Sequence, residues 1–164
     1  MAEAVPAEAL LERLVSAIRT AVGPEAILEA SVGPHLGPAP LLVVPPERLR
    51  AVLAFLRDEP AFRFDFLNTL HGIDRPPDRM EVFYYLQSME SGHAVALKVV
   101  VPREDPRLPS VADLYPAADW QEREAYDHFG LHFEGHPNLR RILLPDDWVG
   151  HPLRKDYAPH DEGV

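Results

Sequence analysis

The chain contains no cysteine. It therefore has no disulfide, no thiolate zinc site, no cysteine nucleophile and no cysteine-ligated iron–sulfur cluster of its own. Any redox chemistry it serves is expected to sit in a partner. Long apolar runs are equally scarce. Nothing approaches the roughly 20 residues that span a bilayer, and MAEAVPAEALLERLV has no positive region ahead of an apolar stretch. With no export signal, the expectation is a cytoplasmic chain.

No glycine pattern matches a phosphate-cradling loop, and Ser16, Ser31, Ser88, Ser91 and Ser110 lie outside any nucleophile-elbow context. A formal net charge of -10 over 164 residues repels phosphate backbones, so nucleic acid is not an expected partner. Lysine occurs only at Lys98 and Lys155, the other basic residues being arginines. Arginine favours forked, bidentate recognition of carboxylates over a loosely hydrated point charge.

What is present is a regular series of elements. Residues 6–22 carry Leu10, Leu11, Leu14, Val15, Ile18 and Val22 at helical spacing and stop before Gly23-Pro24. Two short strands, 26–32 and 41–44, are expected on either side of the turn-rich VGPHLGPAP. A second helix is expected from Pro46 to Arg57, ended by Asp58-Glu59-Pro60. Three runs rich in β-branched and aromatic residues follow, at 64–73, 80–89 and 93–101, with IDRPPDR and ESGH as the turns.

Beyond Pro102 a proline-rich connection wraps the surface, anchored by Leu108, Val111, Leu114 and Tyr115. A further helix from Asp119 to His128 follows, with Asp119 and Glu122 spaced as a capping box and Gly130 at its end. The reading is an α+β protein with helices on one face of a mixed β-sheet, in the order α-β-β-α-β-β-β, then a short helix and an extended C-terminal tail. Residues 1–118 form the body and 119–164 the helix and tail, together one structural domain.

The tail reads EGHPNLRRILLPDDWVGHPLRKDY, with Gly-His-Pro twice, each followed by a leucine and a basic pair. Proline fixes its own φ and pushes the preceding histidine toward extended geometry, while glycine permits a sharp entry. Two pre-bent turns should then present Arg140-Arg141 and Arg154-Lys155, with Ile142, Leu143, Leu144 and Trp148 between them. Apolar anchors mixed with arginine are enriched at interface centres.

Two catalytic readings compete. His128, His132 and His136 recur every four residues, with His151 and His160 further on, and could ligate a metal with Asp127 or Glu134. Gly130, Gly135 and Pro137 argue against the continuous helix this needs. Glu124 and Asp127, three apart, are a possible acid–base pair or acceptors for arginine. Glu122, Glu124 and Asp127 are also expected as acceptors for Arg140, Arg141 or Arg154 within the chain.

The stretch from Asp119 to Tyr157 resembles the signature region of the 30 kDa-type subunit of NADH:quinone oxidoreductase, respiratory complex I. The residues that carry it are Glu122-Arg123-Glu124, Asp127, Phe129-Gly130, Gly135-His136-Pro137, Arg140-Arg141, Trp148 and Gly150-His151-Pro152-Leu153-Arg154-Lys155-Asp156. DPRLPSVADLYPAADW extends the likeness back to about residue 99.

The resemblance implies a structural subunit of the hydrophilic arm with no cofactor and no catalytic centre of its own. FMN and iron–sulfur clusters would lie in other subunits. It implies docking onto the quinone-site subunit and the cluster-bearing subunit beside it, peripherally, on the cytoplasmic side of the cell membrane. Relatives in membrane-bound hydrogenases and in complexes with other electron donors would use the same docking chemistry. His128 departs from the family's usual apolar residue, and the stop at Val164 argues against fusion to the quinone-site subunit.

Overall fold

The computed structural model describes residues 5–33 and 39–159. Its regular elements are α1 (Ala7–Ala21), β1 (Glu29–Val32), β2 (Pro40–Val43), α2 (Leu49–Asp58), β3 (Phe66–Arg75), β4 (Arg79–Gln87), β5 (Ala94–Pro102), β6 (Arg107–Pro109), α3 (Ala118–Phe129) and β7 (His132–Glu134). Short 3-10 turns precede β1 at Pro24–Ala26 and α2 at Pro46–Arg48. Ala26, read as the start of a strand, is thus part of a turn, and the helix read from Pro46 begins as a 3-10 turn. Proline at the first position suits such a turn, where its missing N–H would have no partner. Most of the VGPHLGPAP loop lies outside the described residues.

Five strands form one mixed sheet in the order β1-β2-β5-β4-β3. The β3-β4-β5 meander is antiparallel, β2 runs parallel to β5, and β1 is antiparallel to β2. Alternation along the meander separates two faces. Met80, Val82, Tyr84 and Leu86 of β4, with Val95, Leu97, Val99 and Val101 of β5, are buried in the core. There they meet Leu10, Leu14 and Ile18 of α1 and Val52, Leu53 and Leu56 of α2. This is the α+β architecture expected, with helices on one face of a mixed sheet.

The connection after β5 is anchored much as its apolar residues suggest. Leu108, Val111 and Tyr115 are buried and Leu114 is half-buried, and the Tyr115 hydroxyl donates to the Phe64 carbonyl at 2.7 Å. Two strands went unread: β6 and β7 pair in parallel, Arg107 opposite His132 through Pro109 opposite Glu134. Three-residue strands hold too few positions for a period to show.

Candidate functional site: the helix end and its tail

α3 lies on the core face against β3. Gly72 there admits the side chains of Leu131 and Phe129, since a Cβ at that position would sit 2.8 Å from Leu131 Cδ1 and 3.1 Å from the Phe129 ring. Gln121 accepts a hydrogen bond from the Leu70 N–H on β3, one of the sheet's two edge strands. A side chain on that row keeps another strand from pairing there.

The expected capping box is not formed. The helix starts at Ala118 with Ala117 as its N-cap, and the Asp119 N–H already donates to the Pro116 carbonyl at 3.2 Å, inside the first turn. Glu122 is claimed elsewhere. Its carboxylate is fully buried and accepts the Ser110 hydroxyl at 2.6 Å and the Val111 N–H at 2.7 Å. Burial raises its pKa to about 7, against the lowering effect of those two donors.

His136, of the first Gly-His-Pro, completes this layer. Its Nδ1 accepts the Asn138 N–H at 2.9 Å, which leaves Nε2 to donate toward the Asp119 carbonyl at 3.0 Å and Asp119 Oδ1 at 3.1 Å. The same nitrogen lies 3.9 Å from Glu122. The first turn is thereby pinned over the start of α3.

The second turn is pinned at the helix's other end. The last carbonyls of any α-helix lack intrahelical donors and carry its partial negative charge. Here the tail supplies donors in order. The Asp127 carbonyl accepts from Arg141 Nη1 at 3.1 Å and His151 Nδ1 at 2.9 Å, so this imidazole carries its proton on Nδ1. The His128 carbonyl accepts the Leu153 N–H at 3.0 Å, and the Phe129 carbonyl accepts Arg154 Nε at 2.7 Å. Gly130 closes the helix at φ 73°, and a Cβ there would lie 2.8 Å from the His151 ring. Glycine alone fits both the conformation and the space.

Asp127 is the centre of the arrangement. Its side chain is fully buried; Oδ1 accepts Arg141 Nη1 at 2.7 Å, while Oδ2 accepts the N–H groups of Ile142, Leu143 and Leu144 at 3.1, 2.8 and 3.0 Å. Burial alone would push this carboxyl up, but Arg141 and the three amides hold it at about 2. Arg141 Nη2 goes on to the carbonyls of Trp148 at 2.9 Å and Gly150 at 2.8 Å. One buried ion pair thus fixes the chain direction from residue 140 to 150.

A second pair extends the brace to the sheet. Asp74 on β3 accepts Arg103 through both oxygens, at 2.6 and 3.0 Å, and the Lys155 N–H at 2.8 Å. Arg103 also reaches Asp156 at 2.9 Å. Arg123 donates to the carbonyls of Arg140 and Arg141, both at 3.3 Å, and lies 5.1 Å over the Trp120 ring.

These contacts revise the arginine roles. Arg141 and Arg154, expected to be presented outward by the two pre-bent turns, make bonds within the chain, because the carbonyls at the end of α3 and buried Asp127 lie within reach. Asp127 does serve as an internal acceptor, for Arg141. Glu124 and Arg140 are both exposed and form no ion pair with each other among the described residues. The structure leaves Arg140, Lys155 and Pro137 outward, and Trp120, Leu143, Trp148, Val149 and Leu153 are exposed apolar side chains in the same segment. Pro152 and Phe129 are half-buried, and Gly135 and Gly150 turn the chain with φ of 81° and 90°.

The alternative histidine metal site is not assembled among the described residues. Among the described residues no group of three or more His, Asp or Glu is placed to hold a metal ion. Asp127 and both nitrogens of His136 are already bonded. His160 lies outside the described residues.

Sequence reasoning missed Ser110, Asp74 and Arg103. Ser110 stands 12 positions from Glu122, and Asp74 stands 29 from Arg103 and 81 from Lys155, and no local pattern announces them.

The fold and site define a class: an α+β chain whose tail is stitched by buried ion pairs to the end of one helix, with arginine and tryptophan left outside. The family described as the respiratory-chain NADH dehydrogenase 30 Kd subunit matches residues 42–162. The chain belongs to this family.

A protein of Salinispora arenicola named as one of the subunits of NADH-quinone oxidoreductase is 50% identical over 119 residues, 71% of this chain and 49% of that relative. The namesake of Roseiflexus castenholzii is 51% identical over 116 residues, 69% of this chain and 66% of its own. The chain thus spans about half the length of the first of these relatives. Among solved structures, a trypsin-resistant fragment (1-134) of Nqo5 superposes with a TM-score of 0.64 at 36% identity, covering 79% of this chain and 98% of the fragment. A chain from the membrane-bound sulfane sulfur reductase, an archaeal respiratory membrane complex, gives a TM-score of 0.74 at 26% identity over 92% of this chain and 85% of its own.

Proposed function

We propose that this protein is a structural subunit of the hydrophilic arm of an NADH:quinone oxidoreductase. It supports electron transfer from NADH to quinone without a cofactor or catalytic centre of its own, the FMN and iron–sulfur clusters residing in other subunits. The tail docks onto the quinone-site subunit and the cluster-bearing subunit beside it, and holds the chain peripherally at the cytoplasmic side of the cell membrane.

The observation that carries this reading is the Asp127–Arg141 brace at 2.7 Å. It fixes the tail before any partner arrives, and a preordered segment loses less entropy on binding. Trp148, Leu143 and Leu153 then stand outside at 41%, 60% and 52% exposure, with Arg140 beside the Arg123–Trp120 stack. Aromatic, leucine and arginine side chains of this kind are what the desolvated centre of an interface uses.

The equivalent role in a complex with another electron donor is the second reading. It is supported by the fold shared with a chain of the sulfane sulfur reductase complex. A native pull-down from membranes through a tag on this chain, with the recovered proteins identified and iron and flavin assayed, separates the two. Recovery of a flavin-containing, quinone-reducing assembly is the expected result. A flavin-free assembly would point to the other donor, and recovery of the chain alone would overturn both.

A further inference from the structure

The face of the sheet opposite the helices is a second surface, unconnected with the tail. Among the described residues, none of the helices packs on it, and its side chains are absent from the main core cluster. The strand registers place Thr69, His71, Ile73 and Arg75 of β3 beside Arg79, Glu81, Phe83 and Tyr85 of β4 and Lys98 and Val100 of β5.

Water-facing sheet positions are normally polar. Here the centre is apolar and aromatic: His71 stacks on Phe83 with centroids 5.5 Å apart and planes 9° from parallel, Tyr85 and Ile73 are half-buried, and Val100 is exposed.

Its charge runs against the rest of the molecule. One carboxylate, Glu81, only 7% exposed, is surrounded by Arg75 at 3.1 Å, Arg79 at 3.8 Å and Lys98 at 3.9 Å. Three cations around one anion leave the strand positions net positive on a chain of net charge -10. Of the two aspartates next to them in sequence, Asp78 lies in the adjoining turn and Asp74 is buried and paired with Arg103. The two arginine side chains are 47% and 57% exposed, so Glu81 organises them without using up their donors. Arginine carries five N–H donors in a fork matched to carboxylates.

We propose that this open face is a second protein-docking surface, whose occupant is an acidic protein segment that lays carboxylates on Arg75, Arg79 and Lys98 and an apolar side chain on the His71–Phe83 stack. The proposal rests on the reading of this chain as part of a complex only in requiring an assembly. It assigns that assembly a contact about which the tail says nothing.

The sparse lysines make the test clean, because Lys98 reports on the sheet face and Lys155 on the tail. The complex purified through a tag on this chain, and the isolated chain, are treated with an amine-acylating reagent, and modification at each lysine is read by mass spectrometry. The expected result is a Lys98 reactivity at least about fivefold lower in the assembly, restored when salt is raised to screen exposed charge pairs.

Protection of Lys155 with Lys98 unchanged would overturn the sheet-face proposal and leave the tail reading intact. Protection of Lys98 alone would support the proposal and count against the tail. Protection of neither would overturn both. A Lys98 that reacts freely in the assembly but is shielded by anionic phospholipid vesicles would replace the acidic protein with a membrane surface.

Arg79→Glu gives the independent arm, because that side chain is largely exposed. It should lower co-purified partner severalfold. Because the new carboxylate also faces Glu81, at a site where Arg79 lies 3.8 Å away, Arg79→Gln, which removes the cation without adding an anion, is measured beside it. Arg79→Gln should lose partner severalfold with a melting temperature within a few degrees of wild type, while Arg79→Lys retains most of the partner. Equal recovery with Arg79→Glu and wild type would count against the proposal.

Discussion

Asp127 shows what one residue does when four donors converge on it. Asp127→Asn removes the charge opposite Arg141, whose side chain is only 12% exposed, and turns one acceptor atom into a donor facing three amides or the guanidinium. Breaking a buried pair in this way costs roughly 3 to 5 kcal/mol. For a domain of this size that lowers the melting temperature by on the order of 10 °C. A loss below about 1 kcal/mol in thermal or urea unfolding would show that the tail does not depend on this pair.

Glu122 makes the complementary prediction in pH. Its folded pKa of about 7 stands above the ordinary 4.5, so the folded state holds a proton that the unfolded chain has released. Stability from this group is full below about 4.5 and falls as pH rises through 7. The total loss is about 3 kcal/mol, from 1.36 kcal/mol per unit. Glu122→Gln keeps an acceptor for Val111 and cannot ionise. It should flatten the pH dependence of unfolding free energy between pH 5 and 8; an unchanged slope would place the titration in another group.

At the scale of elements, sequence reading worked where periodicity is long and failed where pairing is distant. α1 and the β3-β4-β5 meander are legible because apolar residues repeat at 3.6 or 2 along stretches of nine residues or more. The start of α3 was misread because Asp119 and Glu122 have the spacing of a capping box. The core instead needed Glu122 for Ser110 and Val111, 12 and 11 residues back. Likewise Arg140 and Arg141 are indistinguishable in sequence, and only the backbone path decides that Arg141 turns inward.

The end of α3 offers the element-scale test. Gly130→Ala strains a left-handed residue and pushes a methyl into the His151 ring, so it should cost roughly 1 to 3 kcal/mol and loosen the second Gly-His-Pro turn. Gly135→Ala strains a similar φ of 81° but meets open space, so it should cost less. Equal losses in unfolding experiments would mean that the His151 contact contributes nothing.

For the whole molecule the structure separates residues that hold the tail from residues that the tail holds out. Arg141 and Arg154 belong to the first set, because their guanidinium groups bond carbonyls of the tail and of α3. Arg140, Trp148 and Leu153 belong to the second. Arg154→Ala should therefore lower the melting temperature of the isolated chain and, through it, the yield of complex. Trp148→Ala or Arg140→Ala should lower the yield severalfold while leaving the isolated chain's melting temperature within about 2 °C, since exposed substitutions usually change stability by less than about 0.5 kcal/mol. The comparison is read by quantifying co-purified proteins alongside thermal unfolding of each variant. If Arg140→Ala and Trp148→Ala assembled normally while Arg154→Ala failed only in proportion to its unfolding, the tail would be a closure of its own domain. The complex would then be held by another face of the protein.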